Sequence, residues 1–199
     1  MRHRGFSLVE MMVTLAIFAL VLLTALPGIN DWIDNTRIRN VTDSVQTGVQ
    51  LARGEAVKQN RNITFWLVNL SNPSTMDNAC TLSSTSGSWV VSVSDPTNPG
   101  HCADSPSTTT SPMIVSARAV GENGGRGITV SAIQTGTTGA TSVTFNGFGR
   151  VVNSNAITKI DVSGPRSTDR ILRLVISPVG QVRMCDPNVS SSTDPRVCP

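Results

Sequence analysis

The sequence predicts an α+β fold in which one long N-terminal helix precedes a β-rich head. Three observations carry that expectation. Residues 6–26 form an apolar run long enough to cross a bilayer. Apolar residues between 38 and 56 recur at intervals of three and four, and beyond residue 60 short β-like runs alternate with turn clusters. Composition agrees: 15% of the 199 residues are charged, 4% are aromatic, and there is no Tyr. Such a chain suits an exported, turn-rich β domain better than a cytosolic enzyme.

The N-terminus opens with a short basic segment, Arg2-His3-Arg4-Gly5, followed at once by the run from Phe6 to Leu26. As helix that run spans about 31 Å, the thickness of a bilayer core. The basic residues ahead of it favour a cytoplasmic start and a periplasmic head. Glu10 sits inside the run. A carboxylate at mid-depth costs roughly 2.5 kcal/mol or more, which argues against a plain anchor, and a secretory signal cut near Ala25 rarely tolerates an acid in its apolar region. A cut between Gly5 and Phe6 accounts for the acid. It places a free amino group four residues before Glu10, so the two charges neutralise each other within one chain or between neighbours.

Gly5-Phe6-Ser7-Leu8-Val9-Glu10 resembles the processing motif of type IV prepilins and type II secretion pseudopilins. The resemblance implies that a prepilin peptidase cuts after Gly5 and methylates Phe6, and that Glu10 registers an incoming subunit against the filament. Residues 1–5 are then a leader, and residues 6–26 the membrane-spanning and filament-core half of the helix. Removing Arg2 and Arg4 from 16 basic side chains leaves one more than the 13 acidic ones. That balance offers no general attraction for nucleic acid.

Pro27-Gly28 ends the apolar run, marking either a point where the helix loosens or a plain membrane boundary. Beyond it Ile38, Val41, Val45, Gly48, Val49, Ala52 and Ala56 line one face, the amphipathic half over residues 27–60. Each glycine in a helix costs about 1 kcal/mol relative to Ala. Gly48 lies on the apolar face and could admit a closely packed sheet; Gly54 has no such reason.

The head, residues 61–199, is expected to hold strands at Ile63–Leu70, Ser88–Val93, Met113–Ala119, Ile128–Ile133, Ser142–Phe145, Ala156–Val162, Arg170–Ile176 and Gln181–Met184. Asn146-Gly147 and Pro178-Val179-Gly180 are turn signals. Residues 71–88 and 94–112 read as polar loops holding Cys80 and Cys102. Four cysteines in an exported domain favour disulfides and permit three connectivities. Cys80–Cys102 and Cys185–Cys198 are the favoured pairs, since each closes a local loop rich in Ser, Thr and Pro.

Several head segments resemble the GspH/FimT/FimU group of minor pilins and pseudopilins: Arg37–Asn62, Val143-Thr144-Phe145-Asn146-Gly147 through Gly149-Arg150-Val151, and Ile176-Ser177-Pro178 through Gly180-Gln181-Val182-Arg183-Met184-Cys185. The resemblance implies a pilin-like α+β fold, the long helix packing on an antiparallel β-sandwich-like head. It further implies inner-membrane insertion and then assembly into a pilus or pseudopilus. Other minor pilins, the major pilin, the prepilin peptidase and the inner-membrane assembly platform are the implied partners.

No enzyme, cofactor or metal reading emerges. His3 lies in the leader, and His101 beside Cys102 lacks the spaced ligand pairs of a zinc site. Gly121-Glu122-Asn123-Gly124-Gly125-Arg126-Gly127 lacks a phosphate-binding lysine and reads as a flexible turn. DNA capture is the rival function, because some members of the group bind DNA through a Gly-Arg-x-Arg stretch near the last hairpin. Here it reads Gly180-Gln181-Val182-Arg183, with one arginine of the two. Arg150, Arg166, Arg170 and Arg173 could add a patch or be solvated faces.

Overall fold

The computed structural model describes residues 6–166 and 170–199, and the side chains of all these except 23–30, 123, 137 and 138. The leader expected at residues 1–5, with Gly5, lies outside them. Helix α1 spans Leu8–Gln59, 52 residues or about 78 Å. A capping box starts it: the Ser7 hydroxyl accepts the Glu10 N–H at 3.2 Å while the Glu10 carboxylate accepts the Ser7 N–H at 3.3 Å. It ends at Asn60, whose left-handed φ of 49° turns its N–H back onto the carbonyls of Ala56 and Val57. The helix passes residues 27 and 28 without a break, since one lost hydrogen bond at Pro27 is held by helix on both sides.

Among the described residues ten strands follow: β1 Ile63–Asn69, β2 Thr81–Leu82, β3 Ser88–Ser92, β4 Ile114–Arg118, β5 Thr129–Gln134, β6 Thr137–Thr138, β7 Ser142–Phe145, β8 Lys159–Ser163, β9 Ile171–Ile176 and β10 Val182–Cys185. They form two antiparallel sheets of five. In the first, β1 pairs on one side with β3, which pairs with β4, and on the other with β7 and β2. The second runs β10-β9-β8-β5-β6. The α+β arrangement, a long helix on antiparallel sheets, is the one expected. The two-residue strands β2 and β6 carry too few side chains to show a period, and several other boundaries move by a residue or more. The largest shift is β8, which begins at Lys159; Ala156 and Ile157 are buried ahead of it without strand pairing.

The helix buries one stripe: Ile38, Val41, Val45, Val49, Ala52 and Ala56 pack against Ile63, Phe65 and Leu67 of the first sheet and Ile160, Leu172 and Leu174 of the second. Gly48 makes this approach possible. A Cβ there would sit 2.8 Å from the rings of both Phe65 and Trp89. Trp89 then turns its indole N–H onto Ser44 at 3.1 Å.

The loops expected to be merely polar prove to cover the other face of the first sheet. Val68, Leu70, Cys80, Val90, Cys102, Ile114 and Ala119 form a second small core there. This explains why all five residues of β3 are buried rather than alternate ones. The glycine-rich stretch forms a turn, as expected. It opens with a 3-10 turn at Val120–Asn123, and a Cβ on Gly125 would meet Val41 at 2.5 Å. Close packing against α1 requires that glycine.

Candidate functional site

Every described side chain from Phe6 to Leu22 is exposed, and most are large and apolar: Phe6 is 81% accessible and Phe18 61%. A helix that is apolar all round is stable in water only when something else covers it. Among the described residues no helix is long and apolar enough to cross a membrane. The run counted from the sequence ends at Leu26, beyond Leu22, the last of its residues whose side chain is described. The capping box sets the direction of the acid in the apolar run. Glu10 folds back towards the Ser7 amide, one residue from where a Phe6 amine would be.

The helix leaves the head at a clamp of charges. Arg166, between β8 and β9, reaches Asp31 with Nη1 at 2.7 Å and Asp34 with Nη2 at 2.9 Å. Arg37 also reaches Asp34, at 3.3 Å. Ile38, the first fully buried helix residue among those described, lies one turn on.

Most arginines proposed as a patch are engaged. Arg173 grips Asp161 with two bonds of 2.6 and 2.7 Å, and that carboxylate raises its pKa further. Arg170 bonds Asp186 at 3.1 Å. Arg183 lies exposed on β10, but its Nη2 donates to the carbonyls of Pro195 and Val197 at 3.0 and 3.1 Å, holding the C-terminal tail. Arg150 is exposed, and no protein group among the described residues holds its guanidinium. The Gln181 side chain is likewise exposed. The structure does not gather these arginines into one free basic patch.

Both favoured disulfides are present, Cys80–Cys102 and Cys185–Cys198. The first pins the second core. The second, with Arg183, ties down the tail, where Arg196 holds the Asp194 carboxyl at about 2. His101 Nδ1 lies 2.7 Å from an Asp104 carboxylate oxygen, a local loop pair. Among the described residues no group of three or more His, Cys, Asp and Glu is placed to hold a metal.

Sequence reasoning missed one place. The turn Asn146–Gly149 and the β9–β10 hairpin tip meet over the last turns of α1. Arg53 Nε donates to the Gly149 carbonyl at 3.2 Å, Val151 N–H donates to Pro178 at 3.0 Å, and the Gly180 backbone lies against the Gly149 carbonyl. Beside this junction Phe148 (83%), Val179 (57%) and Val57 (52%) are all exposed. Single exposed apolar residues carry no sequence signal; only the crossing of three segments makes them neighbours.

Residues 41–180 match the family model described as type II transport protein GspH, and residues 1–26 match that of the prokaryotic N-terminal methylation motif. No curated protein matches the chain. Two crystal structures of the type IV minor pilin FimU from Pseudomonas aeruginosa PAO1 are similar at 16% identity. The first covers 78% of this chain and 92% of that chain with a TM-score of 0.46; the second covers 77% and 97% with 0.44.

Proposed function

The chain belongs to the GspH family of pilin-type subunits, and on that premise we propose that it is a minor pilin that primes type IV pilus assembly at the filament tip, supporting adhesion and twitching motility. Its role is structural rather than enzymatic. The observation that carries the reading is the apolar half-helix joined to a packed head: Phe6 to Leu22 are exposed all round, so their cover must come from lipid first and from other helices afterwards.

On this reading the subunit sits in the inner membrane with its head in the periplasm. The prepilin peptidase cuts between Gly5 and Phe6 and methylates Phe6. The new ammonium lies next to the carboxylate that the capping box already turns towards the helix start, so Glu10 loses the cost of an unpaired charge in hydrocarbon. The assembly platform then moves the subunit out of the bilayer to join other minor pilins and the major pilin.

N-terminal sequencing of membrane-extracted protein tests the processing step, with methylated Phe6 as the expected first residue. Retention of Met1-Arg2-His3-Arg4-Gly5 on filament-borne protein would overturn it. The family model's description, a type II transport protein, favours a second reading, a pseudopilin of a type II secretion system. Deletion separates the two: loss of surface pili and twitching supports the first, and loss of protein secretion with intact pili the second.

A further inference from the structure

The apolar surface at the top of α1 matches one kind of partner. Gly149 and Gly180 have φ of 71° and 82°, values that a side chain would strain, and their backbones touch above Arg53. A Cβ on Gly149 would be 3.1 Å from Arg53 Nε and 3.3 Å from Val57. Their chain neighbours Phe148 and Val179 flank this crossing. One turn before Val57 on the same flank of the helix, a Cβ at Gly54 would meet nothing within 4 Å. A groove here is lined by Gly54, Val57, Gly180 and Val182, together with Gln50, Arg53 and Gln181.

Phe148 is 83% exposed, so packing within the described head does not require a phenylalanine there. The Asn146 side chain holds its turn, accepting the N–H of Phe148 at 3.0 Å and of Arg150 at 3.1 Å. An aromatic beside an apolar groove is the kind of residue that anchors an interface. The charges around it have one sign. Arg53 and Arg150 are exposed at the junction, and the groove lining contains no carboxylate. Glu55 lies on the opposite flank of α1, engaged with Lys58 and Gln59.

We propose that Val57, Phe148 and Val179 with Arg53 and Arg150 form a docking surface for an apolar, carboxylate-bearing segment of a different filament subunit. The inference rests on the minor-pilin reading and adds the surface and the chemistry of the partner. Two cationic guanidiniums at the rim select an acidic partner by charge complementarity. They also disfavour a two-fold contact between copies of this chain, which would set arginine against arginine. Gly54 leaves the groove open for a partner's backbone.

The test uses the full-length chain in cells that make the filament, with the photo-reactive residue p-benzoylphenylalanine introduced at position 148. Light is expected to join it to another pilin-type subunit, within a segment that carries Asp or Glu among apolar residues, mapped by mass spectrometry. Phe148→Ala and Arg150→Glu are each expected to lower co-purification with that subunit by about tenfold or more, while Phe148→Leu retains most of it. Because both positions are exposed, each variant should melt at the wild-type temperature. Cross-links only to nucleic acid, to lipid or to a second copy of the chain overturn the proposal. So does wild-type filament entry by the Phe148→Ala and Arg150→Glu variants, which leaves the minor-pilin reading standing. Absence of the wild-type chain from filaments overturns both.

Discussion

Arg53 Nε donates to the Gly149 carbonyl across 3.2 Å, joining the outer flank of the helix to a turn 96 residues further along the chain. The same guanidinium underlies the hairpin tip at Gly180. Arg53→Ala is expected to cost about 1–2 kcal/mol, the range of a hydrogen bond to a charged group at a partly exposed site. Chemical denaturation of the full-length protein in detergent measures it. An unchanged midpoint would show that the turn holds without this bond.

Two glycines of the helix, Gly48 and Gly54, give opposite outcomes. Gly48→Ala drives a methyl into the rings of Phe65 and Trp89, an overpacking cost of about 1–3 kcal/mol against about 1 kcal/mol of helix propensity gained, so the net change is destabilising. Gly54→Ala meets no atom and should stabilise the subunit by up to about 1 kcal/mol. Thermal melts of the two variants check the signs.

Arg166 spans two carboxylates on successive turns of α1, a task for a planar fork rather than a single ammonium. Arg166→Ala is expected to speed amide exchange over residues 31–37 by roughly two- to fivefold, the scale of a solvent-screened ion pair. Arg166→Lys should recover only part of the protection. Exchange rates unaltered in both variants would remove the clamp.

Loss of the Cys185–Cys198 bridge, which closes a separation of 13 residues, should cost about 2–3 kcal/mol on loop-entropy grounds. The tail then depends on Arg183 and on bonds such as that from Asp186 N–H to the Arg196 carbonyl at 2.8 Å. A Cys185→Ser, Cys198→Ser protein should therefore be trimmed by protease from its C-terminus before the rest of the head is cut.

Gln59, followed by Lys58, lowers the Glu55 pKa from 4.5 by donating hydrogen bonds to its carboxylate. A folded-state pKa below the unfolded one means stability that is complete above pH 4.5 and lost as pH falls through the lower, folded value. Stability measured between neutral pH and pH 3 should decline less steeply for Glu55→Gln than for the wild type. Equal slopes would show that Glu55 contributes nothing to acid sensitivity.

The sequence alone determined the elements whose signals are local. The helix from Leu8 declared itself by the length of its apolar run, the helix face from Ile38 to Ala56 by its period, and most strands by alternation between turns. Both disulfide partners stood close enough in the chain for loop closure to favour them. The tertiary structure decided what depends on distant segments meeting. The loops around Cys80 and Cys102 looked polar because their few apolar residues are scattered; only the open face of the first sheet collects them into a core. Phe148, Val179 and Val57 are more than 20 residues apart and become one surface because two positive-φ glycines let their turns cross over Arg53. Spacing along a chain reports burial against one neighbour, whereas a surface shared by three segments exists only once the backbone has brought them together.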